Sequence, residues 1–354
     1  MRILYFGSYN KDYARNRVLI KGLKENNVEI LECSSQKSIK TRFFTLIKKA
    51  IKKDFDIILV AYPGHIDMFP AKIISLIKRK PVIFDAFIST YDTMINEWKF
   101  GTRHSPKGIY YHWLDKTSCR MADLIIHDTE QHIDYFVKEF NLKRKKFACI
   151  PIGADETIFH PLKKTRTSKK FQILYYGHTN PLHGFPYIVE AAKQLKNEKD
   201  IEFLFIGDNR WFRYERDKNN DLENIKFKDA VPFEKIPYYI ANADICLGIF
   251  GTTIKAQNVI PNKAYEILAM QKPLITADTK ATRKCLKNKQ NAILCKTGNA
   301  QEIAQSILLL KNNPKLKEKI AKNGYKLFKN NFTTKKIGYT LKKTIVKLDK
   351  KQST

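Results

Sequence analysis

The feature that most constrains this chain is an alternation, run through twice. Short, almost unbroken apolar stretches are followed by amphipathic stretches of helical period. In the first half the apolar stretches are Arg2–Phe6, Val28–Leu31, Asp56–Ala61, Pro81–Asp85, Leu124–Asp128 and Phe147–Ile150. Helical patterns separate them at Ala14–Asn26, Ser38–Lys53, Asp67–Lys78, Gly108–Met121 and Glu130–Phe140. Strands that lack a polar alternate position must be covered on both faces. Helical connections supply that cover, so the pattern predicts parallel sheets. The second half repeats the plan, with strands at Gln172–Tyr176, Glu202–Ile206, Ile225–Phe227, Asp244–Ile249, Pro273–Thr276 and Ala292–Leu294. Its helices are expected at Phe185–Leu195, Glu234–Ala241, Asn262–Met270, Ala300–Lys311 and Pro314–Asn330.

With 354 residues the chain is too long for one ordinary core and suits two. The polar, basic stretch Pro161–Lys170 lacks either period and reads as the linker between residues 1–162 and 163–332. The basic helical segment 333–354 is expected to return to the first domain. The predicted architecture is α/β, with two Rossmann-like domains whose sheets face a cleft. Open parallel sheets bind ligands at the carboxyl ends of their strands.

Composition narrows the partners. Hydrophobic residues make up 43% and aromatics 12%, which excludes a disordered chain. The net charge of +30 attracts polyanions, although lysine is used heavily everywhere and composition accounts for part of the excess. No helix-turn-helix, zinc or RNA-recognition signature is present, so nucleic acid is not the expected partner. No G-x-G-x-x-G follows the first strand, which argues against a dehydrogenase. No apolar run is long enough to span a bilayer, and Met1–Gly7 reads as a strand rather than a signal peptide. Cys33, Cys119, Cys149, Cys246, Cys285 and Cys295 form no C-x-x-C pair and read as buried free thiols in a reducing, cytoplasmic setting. The one D-x-D, Asp54-Phe55-Asp56, lies at the entry of a strand, the wrong end for a site, and no metal role is expected for it.

Two segments of the second half carry chemistry. In Tyr175–Phe185 a strand ends, a small-residue loop holds Gly177, His178 and His183, and a helix opens at Gly184. Helix N-termini offer amide donors and partial positive charge to a phosphate. In Asn258–Met270 a loop with Asn258, Val259 and Ile260 runs into a helix whose first turn carries Pro261 and Lys263. Lys263 and the free amides suit a diphosphate, and Glu266 suits a ribose diol.

Together these elements resemble glycosyltransferase family 4, a family of GT-B fold. Gly177, Gly184, Glu266 and Lys272-Pro273-Leu274-Ile275 stand in the family's order, with Phe205–Asp208 and Ala243–Leu247 between them. The resemblance covers the second half well and the first mainly in plan. It implies a retaining, metal-independent transferase that uses a UDP- or GDP-linked sugar as substrate, needs no cofactor, and acts on a glycan or lipid-linked acceptor. It places the donor on Gly177, His178, His183, Gly184, Gly207, Asn258, Val259, Ile260, Lys263 and Glu266, with the base near Asp229–Val231. Three positions depart from the family: His178 replaces an Arg, His183 a Lys, and Asn258 the first Glu of E-x7-E. Histidine is the weaker anion ligand near neutral pH, so Lys263 is expected to carry more of the phosphate. A GT-B sugar-nucleotide epimerase or a basic nucleic-acid-binding protein is the alternative.

The resemblance assigns the acceptor to the first half, through Gly7, Arg15, Arg17 and Asp92. Asp85, a polar contact or base, and His65 are the catalytic candidates; Arg15 and Arg17 fit a phosphate or a solvated helix equally. Residues 37–53 (KSIKTRFFTLIKKAIKK) form a basic amphipathic helix without an acid. It can pack on the sheet, lie on an anionic surface at the inner face of the cell membrane, or do both.

Overall fold

The computed structural model describes residues 1–352, with side chains through residue 348. The chain divides into two compact units: residues 1–153 with the segment from Thr333 onward, and residues 154–332.

The first unit alternates β1 (Arg2–Gly7), α1 (Ala14–Glu25), β2 (Glu29–Ser34), α2 (Ile39–Ile51), β3 (Ile57–Val60), α3 (Met68–Lys78) and β4 (Val82–Asp85). It continues with α4 (Pro106–Met121), β5 (Leu124–His127), α5 (Glu130–Phe140) and β6 (Phe147–Cys149). The six strands pair in the order β2-β1-β3-β4-β5-β6, every pair parallel. Leu4, Phe6, Ile58, Val60, Phe84 and Ile125 lie in a core cluster with helix residues such as Leu46, Ile74 and Phe136. This burial on both faces is why the strands read as unbroken apolar runs. A six-residue π-helical turn, Asp92–Glu97, joins β4 to α4.

The second unit runs β7 (Phe171–Tyr176), α6 (Phe185–Gln194), β8 (Ile201–Ile206), α7 (Arg210–Asn219), β9 (Ile225–Lys228), α8 (Ile236–Asn242) and β10 (Ile245–Leu247). There follow α9 (Ile254–Asn258), α10 (Asn262–Ala269), β11 (Leu274–Ala277), β12 (Ile293–Cys295), α11 (Ala300–Asn312) and α12 (Pro314–Asn331). Its parallel sheet has the order β12-β11-β10-β7-β8-β9. The last helix, α13 (Thr334–Gln352), belongs to the first unit and packs on α1. The two helices approach closely at facing glycines: a Cβ on Gly338 would lie 2.0 Å from the Gly22 carbonyl. Residues 353 and 354 of the expected 333–354 segment lie outside the described residues.

The crossing between units falls at Gly153/Ala154, not at 162/163. The stretch expected as a linker is fastened to the second unit. Asn242 Oδ1 accepts from the Thr165 and Arg166 amides at 2.8 and 2.6 Å, and Lys164 and Arg166 pair with Asp244 at 2.7 and 3.0 Å. Polar composition alone could not reveal these partners more than seventy residues away.

Strand order reverses between β1 and β3 in one sheet and between β7 and β10 in the other. These reversals open crevices at the carboxyl ends of the strands. Gly7 and the turn before His65 stand at the first, and Gly177 and the loop leading into α9 at the second. All six cysteines are free.

Candidate functional site

The crevice of the second unit is built around Lys263. The residue sits in the first turn of α10, where backbone amides lack intrahelical acceptors. Its Nζ is buried and has no hydrogen-bond partner. It lies 3.8 Å from the centroid of the Tyr175 ring and 5.6 Å from that of Tyr176. Burial pulls its pKa from 10.5 down to about 7, with Glu266 opposing the shift. The ammonium faces Gly177, which holds φ +105° as the chain leaves β7; a Cβ there would stand 3.7 Å from Nζ. Glycine adopts this conformation without steric cost, and its bareness leaves the approach to Nζ open.

Further basic side chains gather round the same point. His183 is half-buried with Nδ1 closed off and unpartnered. Burial and the neighbouring Lys263, His178 and Lys255 push its pKa well below the usual histidine value. Lys255, buried in the short α9, was not foreseen: it lies in a five-residue helix with no apolar period to expose it. His178 is exposed, and its carbonyl accepts from the Tyr175 hydroxyl, which fixes the loop. Glu266 is buried and accepts from the Tyr176 hydroxyl at 2.6 Å, so it reaches the crevice already oriented by Tyr176. A buried ammonium without a hydrogen-bond partner, with two ring faces and the charge of Glu266 near it, remains costly and favours an anion that binds it directly.

The remaining donor-side positions divide. Gly207 ends β8 beside Gly177: its amide donates to Lys228 O, and a Cβ would stand 2.9 Å from Gly177 O. Asp229, which follows β9, pairs with Arg216 Nη1 at 3.0 Å. Asn258 ends α9, and Val259 and Ile260 lead through Pro261 into α10. Gly184 follows His183 and opens α6. Its amide donates to Pro181 O, and a Cβ would lie 2.5 Å from the Phe250 backbone, so its role is to let two loops touch and not to offer an amide to phosphate.

In the first unit the structure reassigns two expected residues. Arg15 and Asp85 were candidates for acceptor phosphate and base. Both are fully buried and spent on each other: Arg15 Nε and Nη2 each reach Asp85 at 3.0 Å, and Nη1 donates to Ile150 O at 2.6 Å. The pair fastens α1 to the end of β4 and presents neither group to a substrate. Burial raises the Asp85 pKa and the Arg15 charge opposes the rise. Arg17 is half-buried and donates to Asp12 O at 2.6 Å. Asp92 is buried at the head of the π-helical turn and accepts from Asn96 Nδ2 at 2.9 Å. Such turns recur at functional sites.

His65 and Gly7 do stand at their crevice, each beside an unforeseen carboxylate. Asp67 Oδ2 accepts from Ser8 N at 2.7 Å and Oγ at 2.8 Å, closing the turn after Gly7, while Oδ1 pairs with Arg42 at 2.8 Å. Asp115 binds Ser89 Oγ at 2.6 Å and Tyr91 N at 3.0 Å, and its Oδ1 lies 3.2 Å from His65 Nε2, off the line a hydrogen bond needs. Burial lowers the His65 pKa, against the charges of Asp115, Asp67 and Asp85, and so favours the neutral ring.

One further cluster was missed. His127 Nδ1 and His132 Nδ1 both meet Asp128 Oδ1, at 2.8 and 2.6 Å, and the three ligand atoms lie within 4.8 Å of one another. Burial lowers the His127 pKa to about 4. Burial also opposes ionisation of Asp128, but the imidazoles hold its carboxyl below the ordinary range. A His-Asp pair at the end of a strand was the available signal. Of the D-x-D, Asp54 pairs with Arg2 at 2.7 Å and Asp56 accepts from the Arg2 amide at 2.7 Å, at the amino end of the sheet.

Two six-stranded parallel sheets with flanking helices define a GT-B fold, and comparison with solved structures agrees. HepE from Anabaena, solved with UDP, superimposes with TM-score 0.74 at 15% identity, over 98% of this chain and 100% of that one. Sucrose-phosphate synthase from Thermosynechococcus elongatus gives 0.73 at 12% identity, over 98% of each chain. A glycosyltransferase from Rickettsia africae gives 0.69 at 14%, again over 98% of each. At these identities the likeness is one of fold. Residues 158–327, nearly the whole second unit, match the family model of glycosyl transferases group 1. No curated protein matches the chain.

Proposed function

We propose that the chain is a glycosyltransferase of the family 4 type. It transfers a sugar, with retention and without a metal, from a UDP- or GDP-linked donor to a glycan or lipid-linked acceptor. The observation that carries this reading is the Lys263 ammonium: buried, without a hydrogen-bond partner, and facing Gly177 at a strand-order reversal. A diphosphate placed there would relieve the buried charge. As the bond from the sugar to the diphosphate breaks, negative charge grows on the leaving oxygen. Lys263, Lys255 and the first amides of α10 stabilise that charge where water is excluded. Glu266, oriented by Tyr176, takes the ribose hydroxyls, and Asn258 takes sugar hydroxyls without adding charge. Gly207 and residues 229–231 border the nucleoside. In the first unit neutral His65 serves the acceptor hydroxyl, with Gly7, Arg17 and Asp92 as acceptor contacts. The expected setting is cytoplasmic.

The match of residues 158–327 to the group 1 family supports this reading, as does HepE solved with UDP-glucose. The test is a thermal-shift screen against UDP, GDP and their sugars, repeated on Lys263→Ala and Glu266→Ala. Wild type is stabilised by one nucleotide series, and both variants stay folded while losing that response. Unchanged stabilisation in both variants removes the assignment. Incubation with nucleotide sugar alone separates transfer from epimerisation, because an epimerase converts the donor without an acceptor.

A further inference from the structure

The three helices α2, α3 and α4 lie side by side in the first unit, and their outer faces are unlike a solvated surface. On α2 the inward stripe is Phe43, Leu46, Ile47 and Ala50, of which Leu46 and Ala50 are fully buried. That stripe is all the core requires. Ile39, Phe44 and Ile51 are surplus, and Phe44 is 71% exposed. The same holds on α3, where Ile73, Leu76 and Ile77 form an outward i, i+3, i+4 stripe with Leu76 at 68% exposure. On α4, Ile109, Tyr110 and Trp113 face outward, with Trp113 at 49%. The stripes are joined: the Trp113 ring stacks on Phe69 at 5.8 Å, and Arg42 ties α2 to the head of α3 through Asp67. Large apolar side chains left exposed on three neighbouring helices mark an interaction site.

Its charge names the occupant. Across α2, α3 and α4 the sole acid is Asp115, which is fully buried under the layer. The exposed cations include Lys40, Lys48, Lys52, Arg79, Lys107 and Arg120. An apolar face whose three helices expose cations and no acid, with Trp and Tyr among them and the flanking Asp54 paired with Arg2, complements an anionic bilayer surface, which offers acyl chains beneath negative headgroups. A second copy of the chain would set this cationic fringe against itself. A nucleic acid would leave the aliphatic stripe of α3 unsatisfied. Among the described residues no helix is long and apolar enough to cross a membrane, so contact is by lying on the surface.

The geometry points to α2, α3 and α4 together as a monotopic docking face, which seats the protein on an anionic lipid bilayer through Phe44, Leu76 and Trp113. This widens the role expected of residues 37–53 from one helix to three and does not depend on the donor site.

The test is flotation with vesicles of equal parts phosphatidylglycerol and phosphatidylcholine, against phosphatidylcholine alone. Wild type partitions at least about tenfold more strongly onto the anionic vesicles. Trp113 emission shifts to the blue and is quenched by brominated lipid, a signal lost in Trp113→Phe. The triple variant Phe44→Ser, Leu76→Ser, Trp113→Ser loses about tenfold or more in partition with an unchanged circular dichroism melt. Should the triple variant fold poorly, Leu76→Ser alone shows a smaller loss in the same direction. Equal partition onto both vesicle types overturns the proposal. So do unaltered binding by the folded variants, competition by a DNA duplex at equal affinity with no Trp113 shift, and a concentration-dependent dimer that hides Trp113.

Discussion

Replacing Lys263 with Met should make the unliganded protein more stable while abolishing its response to nucleotide. Met matches the aliphatic length of Lys, so packing against Tyr175 is largely kept. The magnitude follows from the shift. Lys263 titrates at about 7 in the fold and at 10.5 in a solvated chain, because burial penalises the ammonium. Between those values the folded protein carries the fewer protons, so stability rises with pH from about 7 to about 10.5. At neutral pH the ammonium therefore costs on the order of 4 kcal/mol relative to alkaline solution. The variant removes this term. Its melting temperature at pH 7 should rise by several degrees and up to about 10 °C. Its stability should also lose the upward slope of wild type over the same window. Differential scanning calorimetry of both proteins across that range, with and without nucleotide, is the assay. A variant that melts lower than wild type at pH 7, or keeps the alkaline rise, would show that the ammonium already has a partner.

The same titration governs donor affinity. Diphosphate binding favours the charged ammonium, so affinity for a nucleotide sugar should be level below pH about 7 and fall up to tenfold per pH unit above it; calorimetric titrations of wild type and Lys263→Met at several pH values check this. For the Arg15–Asp85 pair, Arg15→Met or Asp85→Asn alone should cost about 3–5 kcal/mol in urea denaturation, and the double variant less than the sum. Gly338→Ala places a Cβ 2.0 Å from the Gly22 backbone; hydrogen exchange should show α13 and the facing part of α1 losing protection while the second unit keeps its own.

The strands were legible because each is buried on both faces and so carries an apolar run that needs no partner to be recognised. Helices with one apolar stripe were legible for the same reason. Segment Arg210–Asn219 was not: of its ten residues only Phe212 and Asn219 are buried, and its start is set by the Asn209 side chain accepting from the Phe212 amide at 2.9 Å. The site was legible where local order encodes it. Gly177 leaves a strand and Lys263 opens a helix, and both facts can be read along the chain. Arg15 and Asp85 were misread because seventy residues separate them, and nothing in a linear pattern shows that each is the other's partner. Asp67, Asp115 and Lys255 escaped for a related reason, since their significance lies in what the fold sets beside them.

In the proposed reaction Lys263 holds the diphosphate of a sugar nucleotide. A crystal structure of the protein with the nucleotide selected by thermal shift tests it most directly. A phosphate oxygen should lie within hydrogen-bond distance of Lys263 Nζ, beside Gly177 and the first amides of α10. A nucleotide seated elsewhere, with Nζ still buried against Tyr175 and without an anion, would contradict it.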